Sequence, residues 1–264
     1  LHGNSADDFT NLSNHPYSVI GSLRMEAYSI VIKTPYLRES FVRKGVSVSS
    51  IIANTLPNTF ILALASMSIA LFLGISLGVV CAVKQHKFID QFLSSIAVFG
   101  MALPSFFSAI LIAWIFGFVY QKYTGLSMTG SLYEVDDYGR GEALALKNLL
   151  LPAITLGIRP LAVVMQLTRN SVLDTLGEDY IRTAKAKGLS SFRVLFVHAL
   201  PNALNPVVTS ASGWLASMLA GAVFVEFIFG WNGLGKEIVY ALNYLDLPVV
   251  MGAVLMLSIC FVII

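Results

Sequence analysis

From Leu56 to Val83 the chain contains no Asp, Glu, Lys or Arg, and the run ends at the basic tetrad Lys84-Gln85-His86-Lys87. About 20 apolar residues suffice to cross roughly 30 Å of hydrocarbon. A stretch of this length is therefore read as a membrane span. Four further apolar runs follow, near Phe92–Tyr120, Leu149–Leu167, Pro206–Phe229 and from Pro248 onward. Charged residues make up 12% of the chain, against about 25% in soluble domains. The fold class expected is an all-α, polytopic transmembrane bundle. Period-2 alternation is missing, which excludes a β-barrel. The net charge of +2 gives no basis for a nucleic-acid partner, and membrane lipid is the expected surroundings.

The chain divides into an extracytoplasmic segment, 1–50, and a transmembrane domain, 51–264. Five spans are visible. Leu1 is not a methionine and Ile264 lies inside an apolar run, so six spans are expected in the intact chain. Gly74 and Gly78 in the first span, and Ser210, Ser212, Gly213, Ser217 and Gly221 in the fourth, let helix backbones approach closely in lipid. Positive residues mark the cytoplasmic side. Span parity groups Lys84, Lys87, Arg169, Arg182, Lys185, Lys187 and Arg193 on one side. The loop 168–198 is thus placed in the cytoplasm and 121–147 outside. Parity also puts 1–50 outside, against its five basic residues.

The cytoplasmic loop reads as helix, turn, helix. Leu173, Leu176, Tyr180 and Ala184 recur at spacings of three and four. Glu178 and Arg182 stand in the favourable order for an ion pair. Gly188 supplies a helix stop, Ser190 or Ser191 a cap for a second helix, and Pro201 a limit to it. Such a pair of helices either lies on anionic headgroups or docks a protein.

In this stretch Gly188 is followed by nine residues and then His198-Ala199-Leu200-Pro201. The spacing resembles the loop signature of bacterial ABC importer permeases: Glu-Ala-Ala, three residues, Gly, nine residues, Ile-x-Leu-Pro. Arg182-Thr183-Ala184 occupies the Glu-Ala-Ala positions and His198 that of Ile. Tyr180-Ile181-Arg182-Thr183-Ala184-Lys185-Ala186-Lys187-Gly188-Leu189 looks like the dipeptide/oligopeptide/nickel branch. So do Leu151-Pro152-Ala153, Leu167-Thr168-Arg169, Ala199-Leu200-Pro201-Asn202-Ala203, and Glu226 with Gly230-Trp231-Asn232-Gly233-Leu234-Gly235. The resemblance covers roughly 46–264. It implies the type I permease fold, a cell inner-membrane location, and a coupling loop, 169–201, seated on an ATPase. Tyr180, Ile181, Arg182, Ala184, Lys185, Lys187, Gly188 and Leu189 are its expected contacts. The implied partners are a second, homologous permease, two ATPase subunits and an extracytoplasmic binding protein. The chain itself binds no cofactor on this reading; ATP and Mg²⁺ belong to the ATPase. It contains no GxxxxGK[ST] motif.

Arg159, Glu226, Trp231 and Gly233 are candidates for the pathway or its gate. Arg159 precedes Pro160 inside the third span, and an ionisable residue there is functional by default. Glu226 closes the fourth span, where a hydrogen bond to the following loop is favoured over proton coupling. Trp231 and Tyr240, each taken alone, read as interfacial aromatics. Pro104 bends the second span or kinks its packing. His2, His15, His86 and His198 are scattered, Asp136-Asp137 is too little for a cation site, and Cys81 and Cys260 read as small hydrophobes. No GxSG or HExxH motif points to an enzyme. Di- or oligopeptides are the expected cargo. The alternatives are nickel or another small solute on the same architecture, or an ion-coupled secondary transporter.

Overall fold

A computed structural model of the chain describes residues 19–24, 29–33, 36–135 and 142–264. His2, His15 and Asp136-Asp137 lie outside the described residues. Each apolar run becomes helix. The first helix, α1 (Val48–Val83), starts earlier than Leu56 because Ser47 caps it: its Oγ accepts from Ser50 N at 3.2 Å. Pro57 sits within α1 without breaking it.

The second apolar run is not one helix. Leu103 takes an extended conformation before Pro104, the conformation that steric clash with a following proline ring favours. The run divides into α2 (Phe88–Ala102) and α3 (Ser105–Val119), turned 109° from one another. The last turns of α3, from Ala113, widen to π geometry. A short α4 (Gln121–Thr124) follows. Two antiparallel strand pairs are also formed, β1 (Val19–Arg24) with β2 (Ser29–Lys33) and β3 (Tyr133–Val135) with β4 (Glu142–Leu144).

The central helix is α5 (Lys147–Leu176). It runs parallel to α1 at very close range. A Cβ on Gly74 would lie 2.7 Å from Val164 Cγ1, and one on Gly78 would lie 2.6 Å from Thr168 Cβ. Gly157 returns the approach, its missing Cβ facing Ser66 O at 3.0 Å. The helices α6 (Asp179–Ala186), α7 (Ser191–Arg193, continuing in π geometry over Val194–Ala199) and α8 (Leu200–Ala203) form the next connection. Then come α9 (Asn205–Phe229), α10 (Leu234–Asn243) and α11 (Leu247–Ile263). Among the described residues α1, α5 and α9 are each long and apolar enough to cross a membrane. The bent α2–α3 pair makes a fourth crossing, and α11 is a shorter apolar helix.

The main core joins α1, α5 and α9 through Leu62, Met67, Leu156, Met218, Leu219 and Phe229. The connections sort to two ends. At one end Arg169 grips Asp90, and Val79, Val172 and Ala203 pack together. At the other, Ser40 and Arg43 reach Asp246 and Glu237, and Gly130 N donates to Phe229 O at 3.0 Å. This sorting matches the sides assigned by span parity.

Candidate functional site

The coupling loop is a knob with its own core. The helix α5 continues to Leu176 and stops at Gly177, so Leu173 and Leu176 do not share a helix with Tyr180 and Ala184. Leu173 packs under α1, while Ile181, Ala184, Val194 and Ala199 close on one another. Ile181 is fully buried and Ala184 is 9% exposed. Both were expected to contact an ATPase; instead they hold the knob together and present almost no surface. Arg182 pairs with Asp179 at 3.1 Å, one turn away, in place of the expected Glu178. The reason is that Glu178 is the residue preceding the helix, in extended conformation.

Gly188 has φ +76°, a conformation side chains resist. It turns the chain between α6 and α7, and Ser190 Oγ caps α7 by accepting from Arg193 N at 3.4 Å. Asn202 Nδ2 donates to Tyr180 Oη at 2.9 Å, tying α6 to α8. The outward surface presents Tyr180, Arg182, Lys185, Lys187 and Gly188, with Leu189 half-buried. It also presents Phe192 and Phe196, whose ring centroids are 4.6 Å apart. These two rings were legible only as an apolar helix face; their i, i+4 spacing was the available signal.

The opposite end holds Glu226, Trp231 and Gly233 in a packed corner. Glu226, fully buried in the last turn of α9, accepts from Gly235 N at 2.7 Å and Lys236 N at 3.2 Å. Those are the first amides of α10, where backbone donors and the helix dipole favour an anion. A Cβ on Gly233 would strike the Glu226 carboxylate, and one on Gly235 would lie 2.5 Å from Val223 Cα. Glycine at both positions lets α10 start against α9. Trp231 is not an interfacial aromatic: it is fully buried, and its Nε1 donates to Asn58 O at 3.0 Å. Tyr240 remains exposed beside Phe227 and Lys236.

Arg159 stands elsewhere, in the middle of α5. On its face of the helix Pro152 and Thr155 are buried, whereas Arg159 and Asn170 are exposed and Gln166 is half-buried. Arg159 has no partner among the described residues. Twelve residues separate it from Lys147, which is about 18 Å of helix. An arginine facing lipid at that depth costs about 2.5–3.5 kcal/mol on insertion scales, so this face belongs to water or protein.

Sequence reasoning missed Asp90. It is buried, and Arg169 grips it with Nε at 2.6 Å and Nη2 at 2.8 Å while His86 N donates at 3.0 Å. A lone acid opening one span and a lone arginine closing another was the signal. Among the described residues no three His, Cys, Asp or Glu side chains gather as a metal site.

Residues 74–264 match the model of a family described as the binding-protein-dependent transport system inner membrane component. The chain belongs to this family. The permease is 34% identical to the dipeptide transport system permease protein DppB of Bacillus subtilis, over 85% of this chain and 68% of that protein. It is 39% identical to the DppB of Escherichia coli K12, over 76% of this chain and 64% of that one. Its fold is that of ABC importer permeases. It superposes on a chain of the inward-facing MetNI methionine ABC transporter with a TM-score of 0.63 at 16% identity, covering 81% of this chain and 91% of that one. An amino acid ABC transporter chain gives 0.60 at 13%, covering 81% and 89%. The permease is an inner-membrane protein, and such components work with a binding protein and an ATPase.

Proposed function

We propose that the permease lines, together with a second related permease, the path of di- or oligopeptides into the cell. On this reading a pair of ATPase subunits seats the α6–α8 knob in a groove and supplies ATP and Mg²⁺, and a binding protein delivers peptide to the opposite end. The observation that carries it is the knob itself. Its hydrophobic residues close on their own core, so a rigid basic and aromatic surface is left facing outward. A preformed surface of this kind transmits force with little ordering cost. Peptide as cargo is supported by the names of the 34–40% identical relatives. Glu226, Trp231 and Gly233 serve here by holding α10 against α9 at the delivery end.

The test is the double charge reversal Arg182→Glu with Lys185→Glu, both exposed. Labelled dipeptide uptake should fall at least about tenfold and ATPase co-purification should be lost, since like charges brought together at an interface cost several kcal/mol. Membrane insertion should persist. Unchanged co-purification would remove the knob from its coupling role.

A further inference from the structure

The break between α2 and α3 has a consequence for Arg159. In its inner half α2 lies along α5, with Asp90 on Arg169 and Gly100 beside Ile158. Past Pro104 the chain turns 109° and α3 packs on both α5 and α9, with Phe106 against Phe224. One face of α5 is buried at Pro152 and Thr155, exposed at Arg159 and Asn170, and half-buried at Val163 and Gln166 between them. These positions fall on one face because they repeat at three- and four-residue spacings. The result is a strip of α5 surface that begins at Arg159 and runs toward the knob end. A guanidinium there has no anionic partner within the described chain.

We propose that Arg159 receives the carboxylate of the transported peptide at the head of this strip. The inference rests on peptide being the cargo. Every unmodified peptide carries a terminal carboxylate whatever its side chains. A planar, permanently charged fork binds that group bidentately. Backbone-end recognition by a single arginine tolerates varied side chains, which suits a path that must pass many sequences. Gln166 and Asn170, further along the face, offer weaker uncharged hydrogen bonds and so let the anion leave toward the cytoplasm.

The experiment uses the complete importer in membranes, with Cys81→Ala and Cys260→Ala removing the native thiols. Val163→Cys, one turn from Arg159, reports the local field through its reaction with anionic and cationic methanethiosulfonate reagents. The anionic reagent should react faster. Arg159→Gln should cut the anionic-to-cationic rate ratio about fivefold or more, as expected for one charge lost at one helical turn, and Arg159→Lys should keep most of it. Arg159→Gln should also lower the maximal dipeptide uptake rate about tenfold at saturating binding protein, with ATPase co-purification intact. A Val163 thiol closed to both reagents, a ratio indifferent to Arg159, or undiminished uptake would each overturn the proposal. Loss of ATPase co-purification in Arg159→Gln would do so too, because it assigns the arginine to subunit contact. Failure of the unaltered importer to take up dipeptide would instead sink the peptide reading, and the labelling ratio would still decide whether an anion site exists.

Discussion

Glu226 shows how a buried carboxylate can be structural in this permease. It accepts two amides from the start of α10, so Glu226→Ala leaves the buried Gly235 amide and the half-buried Lys236 amide without this acceptor. A loss of about 2 kcal/mol is expected, read as a lower unfolding temperature in detergent. Glu226→Gln retains an acceptor oxygen and should lose less; equal losses would contradict the capping account. Asp246 makes a similar clasp at the same end. Burial works to raise its carboxyl, but hydrogen bonds from Ser40 Oγ and from the backbone of Phe41, Val42 and Val249 outweigh it and leave the group below its ordinary value. A depressed carboxyl contributes stability above its unfolded pKa of about 3.9 and loses it as pH falls through the folded value. Unfolding temperature should therefore decline on acidification below pH of about 4, and part of that decline should vanish in Asp246→Asn. Arg43 and Glu237 line the same cleft, and their pair at 2.5 Å should be kept intact in the comparison.

Between elements, the closest approach is α1 on α5. Gly78→Val would drive a side chain into Thr168 and the Met165 carbonyl, which stands 2.7 Å from the missing Cβ. Overpacking of this kind costs about 1–3 kcal/mol, and the permease should aggregate or lose its fold on extraction. Gly213→Ala is the control, because nothing lies within 4 Å of its Cβ position; equal damage from both would refute the packing argument. The Asp90–Arg169 pair ties α2 to α5 at the knob end. A close helix approach on the first span was legible in advance as two glycines four apart, but that α5 is the partner was not. The α2–α3 break was legible as Pro104, but its 109° angle was not, because a proline permits a turn and the packing of α3 on α9 sets its size.

Across the whole molecule, the two ends make a prediction about sidedness. A cysteine at Lys185 should label with an impermeant reagent only in inverted vesicles, and one at Tyr244 only from the outer side. The reverse pattern would invert the orientation and move the knob away from any cytoplasmic ATPase. Hydrophobic runs, basic loops and the Gly188 spacing were enough to determine that this chain is a membrane bundle and where its knob lies, and they assign the orientation that the labelling tests. Those are properties of local composition against water and lipid, so they need no tertiary information. Which residues of the knob face outward, whether Trp231 is interfacial or buried, and that Arg159 is exposed and unpaired among the described residues were decided only by the tertiary structure. Burial and pairing depend on neighbours distant in sequence: Asn58 for Trp231 and Val194 for Ile181.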